Sequence, residues 1–285
     1  MKGQMLLLSF LLLTACSPSA NAKPTIVASF YPISFLASSI VGDKFDVVCL
    51  TPSGTEPHDF ELTPRNVATL HDSKAIFING LGMESWADSL QQSLKEKTFV
   101  LSDGLTTKTI DGRVDPHVWL DTHLYEKMAE NMVVTLSKLD EANAQFYREN
   151  LASFSKKMAD LREYCHKIAD SFQDKVIAVN HAAYGYMCDE YSIEQLYINS
   201  ISPDEEPTQK AIEDILKAIE ERGIDTIFFE ELASDAVAQK IAKETGAKTE
   251  SLNPLEGLTE KEESEGMDYF SIYRQNMEKI ARSKP

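Results

Sequence analysis

Between positions 141 and 169 the chain contains neither glycine nor proline, and its apolar and aromatic residues fall at Tyr147, Leu151, Phe154, Met158, Leu161, Cys165 and Ile168. The intervals alternate between four and three, the spacing that keeps one stripe on one face of a helix. At about 1.5 Å per residue such a helix spans roughly 43 Å, enough to cross a whole domain. A stiff spine of this length constrains everything on either side of it.

Each side carries the same rhythm. Before the spine, short apolar runs at 25–30, 45–50, 74–78 and 98–101 read as strands, and amphipathic stretches at 33–41, 64–72 and 86–94 as helices. Thr63 is placed as an N-cap, with Pro64 at the first helical position. After the spine, strands are expected at 175–179, 226–229 and 248–252 and helices at 208–221, 234–245 and 269–281. This β-then-α alternation predicts an α/β fold of two parallel-sheet lobes joined by one long rigid helix. The expected divisions are an N-terminal lobe at 24–139, a linking helix at 140–171 and a C-terminal lobe at 172–285. Each lobe is expected to bury its own core.

Four residues that suit a transition metal lie just past apolar runs. They occur in Glu56-Pro57-His58-Asp59-Phe60-Glu61, Asp115-Pro116-His117-Val118-Trp119, Asn180-His181-Ala182-Ala183-Tyr184 and Asn253-Pro254-Leu255-Glu256-Gly257. Three neutral imidazoles and a carboxylate can close a tetrahedral shell around one dication. Ligands of open α/β sheets bind outside the carboxyl ends of the strands. His58, His117, His181 and Glu256 come two from each lobe, so a cleft between lobes would collect them. Glu230, Glu231 and Asp268 compete with Glu256 for the fourth place. Glu230 and Glu231, following Phe228-Phe229, could instead orient a ligating imidazole. His71 and His166 are expected in solvent, and Trp86, Trp119, Tyr184 and Tyr186 in the cleft wall and core.

The N-terminus bears on location. Met1-Lys2 is a short basic start, and the apolar stretch from Met5 to Leu13 is broken only by Ser9. That is too short to span a bilayer, which takes about 20 apolar residues, and fits a secretory signal. Leu13-Thr14-Ala15-Cys16 resembles a bacterial lipobox. The resemblance implies a signal peptide at 1–15, cleavage before Cys16, lipid on its sulfur and a polar tether at 16–23. Ala20-Asn21-Ala22 is a competing cleavage site of ordinary type. No later segment is apolar enough to cross a membrane, so attachment rests on the anchor.

A net charge of −17 argues against nucleic acid as a partner and is compatible with attracting cations. Cys49, Cys165 and Cys188 allow at most one disulfide, with Cys165 and Cys188 the pair to test and Cys49 expected as a buried thiol. The absence of CxxC spacing removes thiolate zinc sites.

The leader, the His58 and His117 motifs, Asn79-Gly80-Leu81-Gly82-Met83-Glu84-Ser85-Trp86, His181-Ala182-Ala183-Tyr184-Gly185-Tyr186, the long helix, and Asn253-Pro254-Leu255-Glu256 followed by Asp268-Tyr269 and Asn276 together resemble the zinc- and manganese-binding solute-binding proteins of ABC transporters. The resemblance covers essentially the whole mature chain. It implies a monomeric receptor, lipid-anchored outside the cytoplasm, that hands one metal ion to a permease. Three histidines with a glutamate resemble the zinc branch, leaving manganese as the lesser alternative. Two departures stand out. The stretch 105–114 has no histidine where many zinc binders carry a His-rich loop, and Asp121-Thr122-His123 replaces the usual Asp-Pro, leaving His123 without an assigned role. Coordination without turnover is the expected chemistry. The rivals are an exported zinc hydrolase, which needs an open ligand position and a general base, and a surface adhesin.

Overall fold

The structure, a computed structural model, describes residues 23–172, 175–203 and 207–283. The expected signal peptide, Cys16 and all but the last residue of the expected tether lie outside them. The chain begins with β1 (Thr25–Ala28), α1 (Tyr31–Val41), β2 (Asp46–Cys49), α2 (Pro64–Asp72) and β3 (Ala75–Ile78). A short α3 (Gln92–Lys95) and β4 (Thr98–Val100) complete a four-stranded sheet in the order β2-β1-β3-β4. All its pairings are parallel. Its central strands read as unbroken apolar runs because helices and loops cover both faces. Ile26, Ala28 and Phe77 face the large core, whereas Val27, Ile76 and Ile78 face a smaller cluster with Leu70, Trp86 and Leu94.

Local chemistry accounts for the helix starts. Thr63 Oγ1 accepts the Asn66 N–H while Asn66 Oδ1 accepts the Thr63 N–H, and Pro64 sits where no intrahelical donor is needed. The helix expected at 86–94 forms only a 3-10 turn at Ala87–Ser89 followed by α3, because Leu90 and Gln91 are extended between them. The stretch 105–114, where no strand was expected, contains a hairpin of β5 (Thr109–Ile110) and β6 (Arg113–Val114), turned by Asp111 and Gly112 at positive φ.

Next come α4 (Thr122–Leu139) and the long α5 (Ala144–Ala169). Beyond them lie β7 (Val176–His181), α6 (Gly185–Glu190), β8 (Glu194–Asn199), α7 (Gln209–Arg222), β9 (Thr226–Phe229), α8 (Ala236–Thr245), β10 (Lys248–Ser251), α9 (Glu260–Ser264) and α10 (Tyr269–Arg282). The second sheet, again parallel, is ordered β10-β9-β7-β8. No element was expected where α6 and β8 form.

Helix α5 buries Tyr147, Phe154, Met158, Leu161 and Cys165 and packs against α1, α4 and α10. The last helix thus returns to the first lobe. Tyr269 stacks on Tyr125 with ring centroids 4.4 Å apart, and its hydroxyl donates to the Trp119 carbonyl at 2.6 Å. One correction follows. The largest set of buried apolar residues runs without a break from Ile26 through α4 and α5 to Ile177, Tyr184 and Tyr273, so the two sheets share an inner core instead of each closing its own. Separate packing survives on the outer faces of the sheets, around Ile215 and Ile227 in the second and Leu70 and Ile76 in the first. Cys49, Cys165 and Cys188 are free thiols, the last two buried, so the structure holds no Cys165–Cys188 bridge. Among the described residues, no helix is long and apolar enough to cross a membrane.

Candidate metal centre

Three of the four candidate ligands are set by one kind of turn. In Glu56-Pro57-His58, the His58 N–H donates to Glu56 Oε1 at 3.1 Å; in Asp115-Pro116-His117, the His117 N–H donates to Asp115 Oδ1 at 3.0 Å. In Asn253-Pro254-Leu255, the Leu255 N–H donates to Asn253 Oδ1 at 2.7 Å. Each polar side chain caps the first free N–H after a proline, which has none of its own and a fixed φ. Leu255, at φ 62°, then turns the chain so that Glu256 lies in the site. His181 arrives differently, as the last residue of β7, paired with Asn199 of β8.

The four side chains converge, with one donor atom from each within 4.8 Å of every other. His117 Nε2 lies 3.3 Å from His58 Nε2 and 3.4 Å from His181 Nε2. Glu256 Oε1 is 3.1, 3.6 and 3.9 Å from Nε2 of His117, His58 and His181. Donors bound at 2.0 to 2.1 Å around a tetrahedral zinc stand about 3.3 Å from one another. The spacing of these atoms fits that polyhedron. The side chains are 0% exposed for His117 and His181, 2% for Glu256 and 10% for His58, so little water competes.

The rings are held from behind. Asp115 Oδ1 lies 2.7 Å from His117 Nδ1, and Glu230 Oε1 lies 2.5 Å from His181 Nδ1. A carboxylate on Nδ1 leaves Nε2 as the free lone pair and fixes the ring plane. The Asp115 loop is itself tied down. Asn79 Nδ2 donates to the Pro116 carbonyl at 3.0 Å, and Tyr186 of α6 donates its hydroxyl to the Asp115 carbonyl at 3.1 Å. Buried Glu84 accepts from Ser29 Oγ and from the Asn79 and Gly80 N–H groups, bracing the turn that presents Asn79.

Electrostatics in the site are unequal. Burial alone would raise Glu256, but the neighbouring His58 and His117 rings overcome it and hold its carboxyl well below the usual range. Burial alone would lower His117, yet the hydrogen bonds its ring donates to Asp115 and Glu256 raise it to about 10. Burial and then the Glu256 charge push Glu56 up to about 10 and Glu230 well above the carboxylate range. A dication among the nitrogens would draw Glu56 and Glu230 down again and reinforce the depression of Glu256.

Of the competing carboxylates, only Glu230 reaches this cluster, behind His181. Glu231 is exposed and accepts from Ser251 Oγ, and Asp268 caps α10. His71, His123 and His166 are exposed, which leaves His123 outside the site. Trp119, Tyr184 and Tyr186 are buried in the shared core, and Trp86 is buried in the smaller cluster of the first lobe. Two contributors carried no role in the sequence reading, Asp115 and Glu56. Their position two residues before each histidine, across a proline, was the available signal.

Comparison with known proteins gives the geometry its context. The chain matches the family described as zinc-uptake complex component A, periplasmic, ZnuA, over residues 26–283. It is 33% identical over 302 residues to the high-affinity zinc uptake system protein ZnuA of Bacillus subtilis, covering 96% of this chain and 94% of that protein. It is 34% identical over 289 residues to the zinc-binding protein AdcA of Streptococcus pyogenes, where it covers 92% of this chain but 56% of AdcA, so it spans about half of that relative. The crystal structure of the Zn(II)-bound ZnuA-like domain of Streptococcus pneumoniae AdcA resembles it with a TM-score of 0.81 at 30% identity, over 92% of this chain and 99% of that one. With its two parallel sheets, its long helix and its clustered imidazoles, the chain belongs to the ZnuA family of zinc-uptake components.

Proposed function

We propose that this protein is the extracytoplasmic receptor of a zinc importer, binding one zinc ion through His58, His117, His181 and Glu256 and passing it to an ABC-type permease. The observation that carries the reading is the set of Nε2 and Oε1 atoms spaced at tetrahedral edges in a nearly closed site. Membership of a zinc-uptake family supports the same cargo. Three imidazoles favour zinc over manganese, which prefers oxygen donors. The chemistry is binding without turnover. A hydrolytic zinc keeps one position for water, whereas here the fourth corner is taken by Glu256.

In this reading residues 1–15 direct export, Cys16 carries the lipid, and a monomer acts with lobes at 24–139 and 172–285 joined through 140–171. The lipobox-like Leu13-Thr14-Ala15-Cys16 supports the anchor. Metal analysis after competition with equal manganese tests the function. One zinc per chain is expected, and predominantly bound manganese would overturn the assignment.

A further inference from the structure

His117 and His181 are fully covered and His58 is 10% exposed, and of the four ligands it is Glu256 that lines the cavity beside the site. A cavity of about 270 Å³ is lined by it together with Glu56, Glu230, Leu232, Asn253 and Glu262 among others. Glu256 is 2% exposed, and its Oε2 has no hydrogen-bond partner. The carboxylates of this cavity form a gradient of burial. Glu231 and Glu265 are exposed, Glu56 and Glu262 are half-buried, and Glu230 and Glu256 are buried. An arriving cation therefore meets carboxyl groups of every degree of burial, of which Glu56 and Glu230 are the ones held protonated until a positive charge approaches. Of the two lysines in the lining, Lys279 is turned to the Ser251 carbonyl at 2.6 Å, and Lys261 is exposed.

A second cavity also touches Glu256, but Glu263 is its only other carboxylate. The first is the more attractive to a dication. Leu232 and Gly257 both line it, and they pack so closely that a Cβ on the glycine would stand 3.1 Å from Leu232 Cδ1 and 3.7 Å from the Thr55 carbonyl oxygen.

We infer that the metal enters and leaves through this acidic cavity beside Glu256, with Leu232 as its constriction. The inference rests on the ligand set proposed above and adds the route to it. Leu232 is not one of the four ligands, so changing its size should alter the barrier and leave the donor set in place.

Zinc exchange between the purified protein and a fluorescent chelator, followed by stopped flow, tests the route. Leu232→Trp should slow association and dissociation together by about tenfold while Kd stays within about twofold, because a constriction raises one barrier for both directions. Leu232→Ala should speed both. Glu231→Gln with Glu265→Gln, at exposed positions that do not threaten folding, should lower the association rate by about threefold at low salt, with the difference closing at high salt. Wild-type rates in folded Leu232→Trp and in the double glutamine variant, at unchanged Kd, would overturn the route and leave the ligand set standing. A wild-type protein that binds no zinc would overturn the ligand set and the route with it.

Discussion

Trp119 donates its indole N–H to the Pro254 carbonyl at 2.8 Å, joining the turn that carries His117 to the turn that carries Glu256 across 135 positions of sequence. Both groups are buried. Trp119→Phe keeps most of the packing and leaves the carbonyl without its donor, a change worth about 1–3 kcal/mol. We expect a lower melting temperature and weaker zinc binding together, by calorimetry. A fall in stability with unchanged affinity would mean that the tie does not position the site.

Ligands and their supports should separate by magnitude. Asp115→Asn leaves His117 present but loosens its orientation, and should weaken zinc binding by about 10- to 100-fold. His181→Ala should cost more than that. Glu256→Ala should fall between, with three imidazoles and a water sharing the ion. Zinc titration of the three variants ranks them. Unaltered affinity in Glu256→Ala would remove that residue from the ligand set.

Acidity should act through His117 over a higher window than an ordinary imidazole, whose pKa is about 6.5. Its pKa in the metal-free fold is raised to about 10. The protonated ring therefore stabilises that fold fully below about pH 6.5, and the contribution is lost as pH rises through about 10. Glu256 is depressed, so its contribution is present above about pH 4.3 and lost as pH falls below it. Zinc needs the neutral ring and displaces the proton. Between pH 7 and 9 the metal-free melting temperature should fall while zinc affinity climbs, which differential scanning calorimetry and competition titration would record. A flat affinity over that range would show that His117 is already neutral.

Chelation should lower stability without dividing it. At free zinc about 1,000 times Kd the ion contributes about 4 kcal/mol, which for a chain of this size corresponds to roughly 10 °C in melting temperature. Because Trp119, Tyr147, Tyr184 and Tyr273 belong to one buried set, both forms should unfold in a single calorimetric transition. Two resolved transitions after chelation would contradict the shared core.

What could be read from residues alone was what nearby residues decide. The start of α2 at Pro64 follows from Thr63 and Asn66, and the spine follows from an unbroken helical stripe. The histidines were legible because each ends a strand or follows a proline turn. Strand β8 was not, since Glu194–Asn199 has only a weak apolar run and gains its place by pairing with β7. The hairpin at Asp111-Gly112 carried a turn signal, but its two-residue arms gave no alternation to notice. The separate cores failed for a similar reason. Periodicity shows that a helix has a buried face but not which lobe covers it. Likewise, the raised pKa of Glu56 and Glu230 comes from their burial and then from their approach to Glu256, which no local pattern encodes.

The return of α10 has a consequence for how the chain acquires its shape. Tyr269 and Tyr273 hydrogen-bond to the carbonyls of Trp119 and Leu120, some 150 positions earlier. The first lobe therefore cannot complete its interior until α10 has been made. Contacts of such long range slow folding, and a nascent chain that stays unfolded until late remains able to thread through a narrow translocation channel.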